Sequence, residues 1–170
     1  MNQPVWKTKQ MLAAAVLGLC ALGFGLYVLL RSSDEQKILA AFARSVQTVS
    51  VKEGDTPLSR LARINDTFKE TLGENATVRV AELGVAASGR KRAAEAAAHA
   101  GTVYQSAQAD IVRVDTRIDD AKQNAKLTAT VVVTGSVGGN RRVDTREVNV
   151  LLHKDDGWRI TSLEVLPASP

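Results

Sequence analysis

Asp66, His99, Tyr104 and Asp110 are the side chains of this 170-residue sequence whose types could move protons. General acid–base catalysis needs a base, and a group that orients it, within hydrogen-bond reach. These four are scattered over three predicted elements, and none forms a marked pair with another. His99 stands among alanines, the setting of a solvated or lightly packed helix residue. Metal chemistry is weaker still: His99 and His153 are the only histidines and are not spaced as ligands, and Cys20 is the only cysteine. No metal or cofactor is expected. Arg90-Lys91-Arg92 is the one compact basic cluster. It falls at a predicted helix start, where the dipole disfavours cations. It reads either as a solvated loop end or as a contact for anionic lipid heads or an acidic partner. Two charged rows, Arg113/Asp115/Arg117 and Arg142/Asp144/Arg146, are expected to pair across strands on the wet face of a sheet. If that face meets a partner, they are its edge. Arg90, Lys91, Arg92, Arg142 and Arg146 are therefore the interaction candidates.

The elements that must position these residues can be read from periodicity. Ser33-Asp34-Glu35-Gln36 resembles a capping box, and Ile38, Phe42, Val46 and Val49 recur at helical spacing, giving a helix over about 34–49. Thr56-Pro57 opens a second helix with the stripe Leu58, Leu61, Ile64 or Asn65, Phe68 and Leu72, which Gly73 is expected to stop. "ATVRVAEL" is a short strand candidate. Ser88 is read as opening a third, alanine-rich helix. From Ala107 the pattern has period two: "ADIVRVDTRI" sets Val112, Val114, Thr116 and Ile118 against Arg113, Asp115 and Arg117. The strands "AKLTATVVVTGSV", "RRVDTREVNVLLH" and "WRITSLEVL" follow, separated by the turn signals "VGGN" and "KDDG". Helices followed by a meander of strands make an α+β domain.

Ahead of that domain, Met11 to Leu30 contains no charged residue. Twenty helical residues span roughly 30 Å, the hydrocarbon thickness of a bilayer. Lipid attachment at Cys20 is rejected because Leu19 precedes it. Signal-peptide cleavage after Gly23 is the rival reading. It would leave a mature chain beginning "FGLYVLL", so an uncleaved anchor is expected. Lys7 and Lys9 place residues 1–10 in the cytoplasm and 31–170 outside it, which in a bacterium means a single-pass inner-membrane protein. Ala14, Gly18, Ala21 and Gly25 share one helix face, suited to close helix packing. With Lys7 and Lys9 set aside, 20 cationic residues face 18 acidic ones, a net of +2. That balance does not point to nucleic acid.

The order of elements, and the ending "VNVLLHKDDGWRITSLEV" with Asp156-Gly157-Trp158-Arg159-Ile160 entering the last strand, resemble the nuclear-transport-factor-2-like superfamily, also called SnoaL-like or cystatin-like. The resemblance covers roughly Asp34 to Leu166. It implies a cone-like curved antiparallel sheet packed on three helices, behind the transmembrane helix. Enzymes of the superfamily place a carboxylate, histidine or tyrosine inside the cone, which makes Asp66, His99, Tyr104 and Asp110 the catalytic candidates. With few aromatics, the cone is expected to be lined by Ala, Val and Thr and to be narrow or plugged. The scaffold hosts enzymes and non-enzymes alike. The expectation is a membrane-anchored, non-catalytic interaction or assembly module of a bacterial envelope complex. Its partners would be the membrane, other envelope proteins and a second copy, met through the sheet or the transmembrane helix. The architecture resembles the membrane-anchored assembly factors of type IV secretion. The alternative is a membrane-tethered SnoaL-like enzyme or small-ligand-binding protein.

Overall fold

The computed structural model describes residues 33–52, 54–81, 84–100, 102 and 104–166. The expected transmembrane segment, its packing face Ala14, Gly18, Ala21 and Gly25, Cys20 and the cleavage site after Gly23 lie outside the described residues. Among the described residues no helix is long and apolar enough to cross a membrane.

Helix α1 (Asp34–Thr48) carries Asp34 and Glu35 in its first turn, which suits the helix dipole, and buries Ile38, Ala41, Phe42, Ser45 and Thr48 along one face. Helix α2 (Pro57–Thr71) starts where its cap is complete. Thr56 Oγ1 accepts the Ser59 N–H at 3.2 Å and Ser59 Oγ accepts the Thr56 N–H at 3.2 Å, with Pro57 in the first turn. Arg63 in α2 fastens the intervening connection, donating to both carboxylate oxygens of Asp55 (3.1 and 2.7 Å) and to the Ser50 carbonyl. The buried face of α2 is Arg60, Ile64, Phe68 and Thr71. Leu58 departs from the predicted stripe and is 79% exposed. It lies on the far side of the helix from Ile64, and the long stem of Arg60 takes an inward place instead. The Arg60 guanidinium donates to the Ala98 carbonyl in the last turn of the third helix. Between α1 and α2, Ser45 Oγ donates to Thr71 Oγ1 at 2.8 Å, and the Thr48 and Thr67 hydroxyls are bonded at 3.0 Å.

Gly73 does not stop α2. Leu72 already has extended backbone angles, and the chain passes without a loop into strand β1 (Leu72–Val80). Strand β2 (Val85–Ser88) pairs antiparallel with β1. Ser88, expected to open a helix, ends that strand. The opening role falls to Gly89: its φ is +90°, its N–H extends the ladder to the Ala76 carbonyl, and its own carbonyl accepts the Ala93 N–H. Helix α3 runs Arg90–Ala100. The meander is β3 (Ser106–Ile118), β4 (Asn124–Val137), β5 (Asn140–Lys154) and β6 (Trp158–Val165). Gly138 and Gly139, both with positive φ, form the two-residue turn between β4 and β5.

The six strands form one curved sheet in the order β2-β1-β6-β5-β4-β3. It is mixed rather than antiparallel, because β1 runs parallel to β6. A hydrophobic core of α1, α2 and sheet residues, with Phe42, Ile64, Leu127, Val150 and Ile160 fully buried, lies on the helix-covered face. Trp158 is in this core. Its Nε1–H donates to Asp34 at 3.1 Å, and Lys154 reaches the same carboxylate at 3.0 Å. The entry of α1 is thereby fixed to the β5–β6 turn. A bulge between Ile111 and Arg113 removes Val112 from its expected inward row and leaves it 61% exposed.

Candidate functional site

Residues directly opposite each other in an antiparallel pair share a face. On the helix-covered face, successive rows across β3, β4 and β5 are Ile111–Val131–Arg146, Ala109–Val133–Asp144 and Ala107–Gly135–Arg142. The row Arg142/Asp144/Arg146 therefore lies on the inner, concave side, continuing the buried positions Val148, Val150 and Leu152 outward along β5. The expectation that both charged rows pair across the wet face is corrected on two counts. Strands β3 and β5 are separated by β4, so the rows cannot pair directly. The ion pairs run along each strand instead, Arg117 to Asp115 at 3.5 Å and Arg146 to Asp144 at 3.6 Å. Arg113, Asp115 and Arg117 do face the convex side, because the bulge resets the alternation after Val112.

Between the sheet and the helices lies a cavity of about 300 Å³. Every helix and strand contributes to its wall, including Phe42 and Val46 of α1, Phe68 of α2, Ala96 and Ala97 of α3, and Val131 and Val148 of the sheet. Among the described residues nothing plugs the cone. Where α3 faces it, the inward side chains are alanines, and methyl groups leave the space that larger residues would fill. Among the described residues three polar side chains line this space: Ser45, Tyr104 and Arg146. The Ser45 hydroxyl is bonded to Thr71 in the helix layer. The Tyr104 ring rests on Gly135, where an added Cβ would come within 2.8 Å of its Cδ1. The Arg146 side chain is 18% exposed, and its guanidinium also meets the Thr145 carbonyl at 3.2 Å. Tyr104 and Arg146 stand toward the β4–β5 turn, at the end of the cone away from Trp158.

The other sequence candidates are elsewhere. His99 is exposed on α3. Asp66 is exposed on α2, beside Lys69 at 3.7 Å. Asp110 faces the convex side and accepts from Gln108 Nε2 at 2.9 Å. Of the four, Tyr104 alone reaches the cone. Among the described residues no group of three or more His, Cys, Asp or Glu side chains could hold a metal. Arg90 is half-buried and donates to the Lys69 carbonyl at 3.3 Å, joined there by Arg159 at 2.6 Å. The cation that is misplaced for the start of α3 is well placed for the C-terminal carbonyls of α2. Lys91 and Arg92 are exposed.

No protein-family model matches the sequence, and no curated protein matches it. Solved structures do match. The Kfla4162 protein of Kribbella flavida superposes with a TM-score of 0.65 at 16% identity, over 81% of this chain and 91% of that one. A nuclear-transport-factor-2-like protein with a cystatin-like fold from Novosphingobium aromaticivorans superposes at 0.60 and 16% identity, over 86% and 88%. The fold is cystatin-like. A hexachlorocyclohexane dehydrochlorinase, LinA type 2, has the same architecture at a TM-score of 0.64 and 12% identity, over 78% and 83%. At such identities the cystatin-like likeness extends to architecture and not to reaction. The site must be read from its own residues. Sequence reasoning missed Arg146 as a cavity residue. The signal was present in the spacing of Arg146 from Val148, Val150 and Leu152, but the alternating charges beside it looked like a solvated row.

Proposed function

We propose that the domain is a binding module that takes up a small apolar molecule in its cone and does not transform it. The observation that supports this is the cavity of about 300 Å³ with an almost wholly aliphatic and aromatic wall. An apolar cavity of about 150 Å³ stays dry and accepts benzene, so one of about twice that volume suits a two-ring compound or a chain of about ten carbons. Asp66, His99 and Asp110 point to no chemistry on such a guest, since each is exposed outside the cone. If residues 11–30 form the anchor the sequence suggests, the module holds its guest next to the membrane, outside the cytoplasm. Any envelope-assembly role is then exercised by a ligand-bound domain.

The test is saturable binding of a neutral fluorescent probe such as N-phenyl-1-naphthylamine. One site is expected, lost on filling the cone with Ala97→Phe while the fold is retained by circular dichroism. A folded protein that gives no saturable signal, or an Ala97→Phe variant that binds as well as the parent, removes this reading.

A further inference from the structure

We infer that strand β3 is the docking edge for a second copy of this chain, paired antiparallel about a twofold axis at Thr116. The inference is independent of what the cone holds. In the order β2-β1-β6-β5-β4-β3 the outer strands are β2 and β3. Strand β2 has four residues, whereas β3 has 13. Successive residues of an antiparallel strand point their backbone groups alternately to one side and the other. Asp119 continues the β3–β4 ladder by donating its N–H to the Asn124 carbonyl at 2.9 Å, so Arg113, Asp115 and Arg117 also bond toward β4. The N–H and C=O groups of Val114, Thr116 and Ile118 therefore point away from the sheet. Upstream, the equivalent groups of Ala107 bond to Val51 at 3.0 and 2.8 Å. Past the bulge at Ile111–Arg113, no strand among the described residues covers this edge. An open strand edge is a template for another strand.

The charges say which strand. A row of lysines repels every copy of itself, but Arg113, Asp115, Arg117 and Asp119 alternate in sign along one face of β3. An alternating row of even length complements itself when reversed. With Thr116 opposite Thr116 of the second copy, each Asp115 meets an Arg117 and each Arg113 meets an Asp119. An axis at Asp115 or Arg117 would oppose like charges. An axis at Val114 or Ile118 would carry the pairing into the bulge or the β3–β4 turn. The contact of Arg117 with Asp115 along the strand does not stand in the way. At 3.5 Å, with the side chains 84% and 66% exposed, it is a loose surface pair, worth little and easily shared. Asp119 keeps the bonds it accepts from Gln123 and Asn124, since a carboxylate can accept more.

Thr116 supplies an independent observation. It faces the concave side in the row Thr116–Leu127–Val150, and its Oγ1 is buried without a hydrogen-bond partner among the described residues. Such a group costs stability. At the axis it stands opposite its own copy, and a turn about χ1 lets the two hydroxyls bond, as cross-strand threonines do. Val114 and Ile118, half-buried against the core, meet each other across the axis and continue the apolar layer. The three residue pairs would exchange about six backbone hydrogen bonds.

Oxidative cross-linking of the full-length protein in mild detergent tests the register, with Cys20→Ala as the background and non-reducing gels as the readout. Cα atoms paired at the axis would lie about 5.5 Å apart, within reach of a disulfide. Thr116→Cys should therefore give a linked dimer. Val114→Cys and Ile118→Cys should each give little by itself and a dimer when the two proteins are mixed, which also covers a Thr116→Cys variant that fails to fold. Asp115→Arg or Arg117→Asp, added to Thr116→Cys, should lower the linked fraction about ten-fold. Mixing these two should restore it, because the heterodimer regains both ion pairs while the pair within each chain stays broken. Equal cross-linking at all three positions, or no recovery on mixing the charge variants, overturns the register and the proposal with it. Absence of a linked dimer from both Thr116→Cys and the mixed pair overturns β3 as a docking edge. Probe binding by the cone is read separately and is unchanged by either result.

Discussion

At the scale of single residues, Asp55 and Arg63 form the most consequential ion pair. The two hydrogen bonds from Arg63 hold the Asp55 carboxyl down from 3.8 to about 2, and the Lys52 N–H adds to the effect. A carboxylate with a lowered folded-state value contributes stability that is fully present above its unfolded value and is lost as the pH falls through the folded one. Thermal melts should therefore show a loss between pH 4 and pH 2, of roughly 2 kcal/mol from this group. In Asp55→Asn that increment should be missing from the acid limb, and the variant should be less stable than the parent at pH 7. A second residue-scale prediction concerns Gly135. In Gly135→Ala the new methyl would press on the Tyr104 ring at 2.8–3.0 Å and on the Ser106 carbonyl at 3.3 Å. The ring is the part that can move. Probe binding in the cone should weaken several-fold while the melting temperature changes little, and the double variant with Tyr104→Ala should show no additional loss from the methyl group.

At the scale of elements, local signals were legible wherever a residue's role depends on its neighbours in sequence. The Thr56-Pro57 start of α2, the Gly138-Gly139 turn and the β3–β6 meander all came from short-range chemistry. Roles set by distant contacts were not legible. Arg90 stabilises the end of α2 rather than the start of its own helix, and nothing near residue 90 in the sequence says so. The same holds for Asp34, which terminates no pattern of its own yet ties α1 to the β5–β6 turn. Lys154 foremost, and then Trp158, lower its pKa by hydrogen bonding, and Lys154 also lies 5.5 Å from the centre of the Trp158 ring. Asp34→Ala should cost about 2 kcal/mol in urea denaturation, the worth of its charge-assisted hydrogen bonds. Lys154→Met should recover little of the parent's stability, since it leaves the Asp34 carboxylate without its ammonium partner. Thr56→Ala, at an exposed cap, should cost about 1 kcal/mol. A larger loss for the cap than for Asp34 would contradict this ranking.

For the molecule as a whole, residues Asp34 to Leu166 supply every strand of the sheet and the core beneath it. A fragment from Ser33 to Pro170 should therefore be soluble and show mixed helix and strand content by circular dichroism. A purely helical or disordered spectrum would contradict the fold. The α+β class could be read from periodicity alone, but the parallel pairing of β1 with β6 could not, because no local pattern distinguishes a parallel partner from an antiparallel one. The site was hidden for a related reason: which face of β5 turns inward is decided by register with β4 and by packing under the helices. That parallel pairing also bears on how the chain reaches its native state. Strand β6 is made last among the six yet occupies a central place, between β1 and β5. Until it inserts, β1 and β2 have no strand partner in the meander, and the early unit meets it through the short Val51–Ala107 bridge to β3. Sequence-distant strand pairings of this kind slow folding and lengthen the exposure of aggregation-prone surface. Substitutions in β6, such as Ile160→Ala, should accordingly reduce the yield of soluble protein by more than their equilibrium destabilisation alone would account for, and a guest already lodged between the two halves would act as a template for their closure.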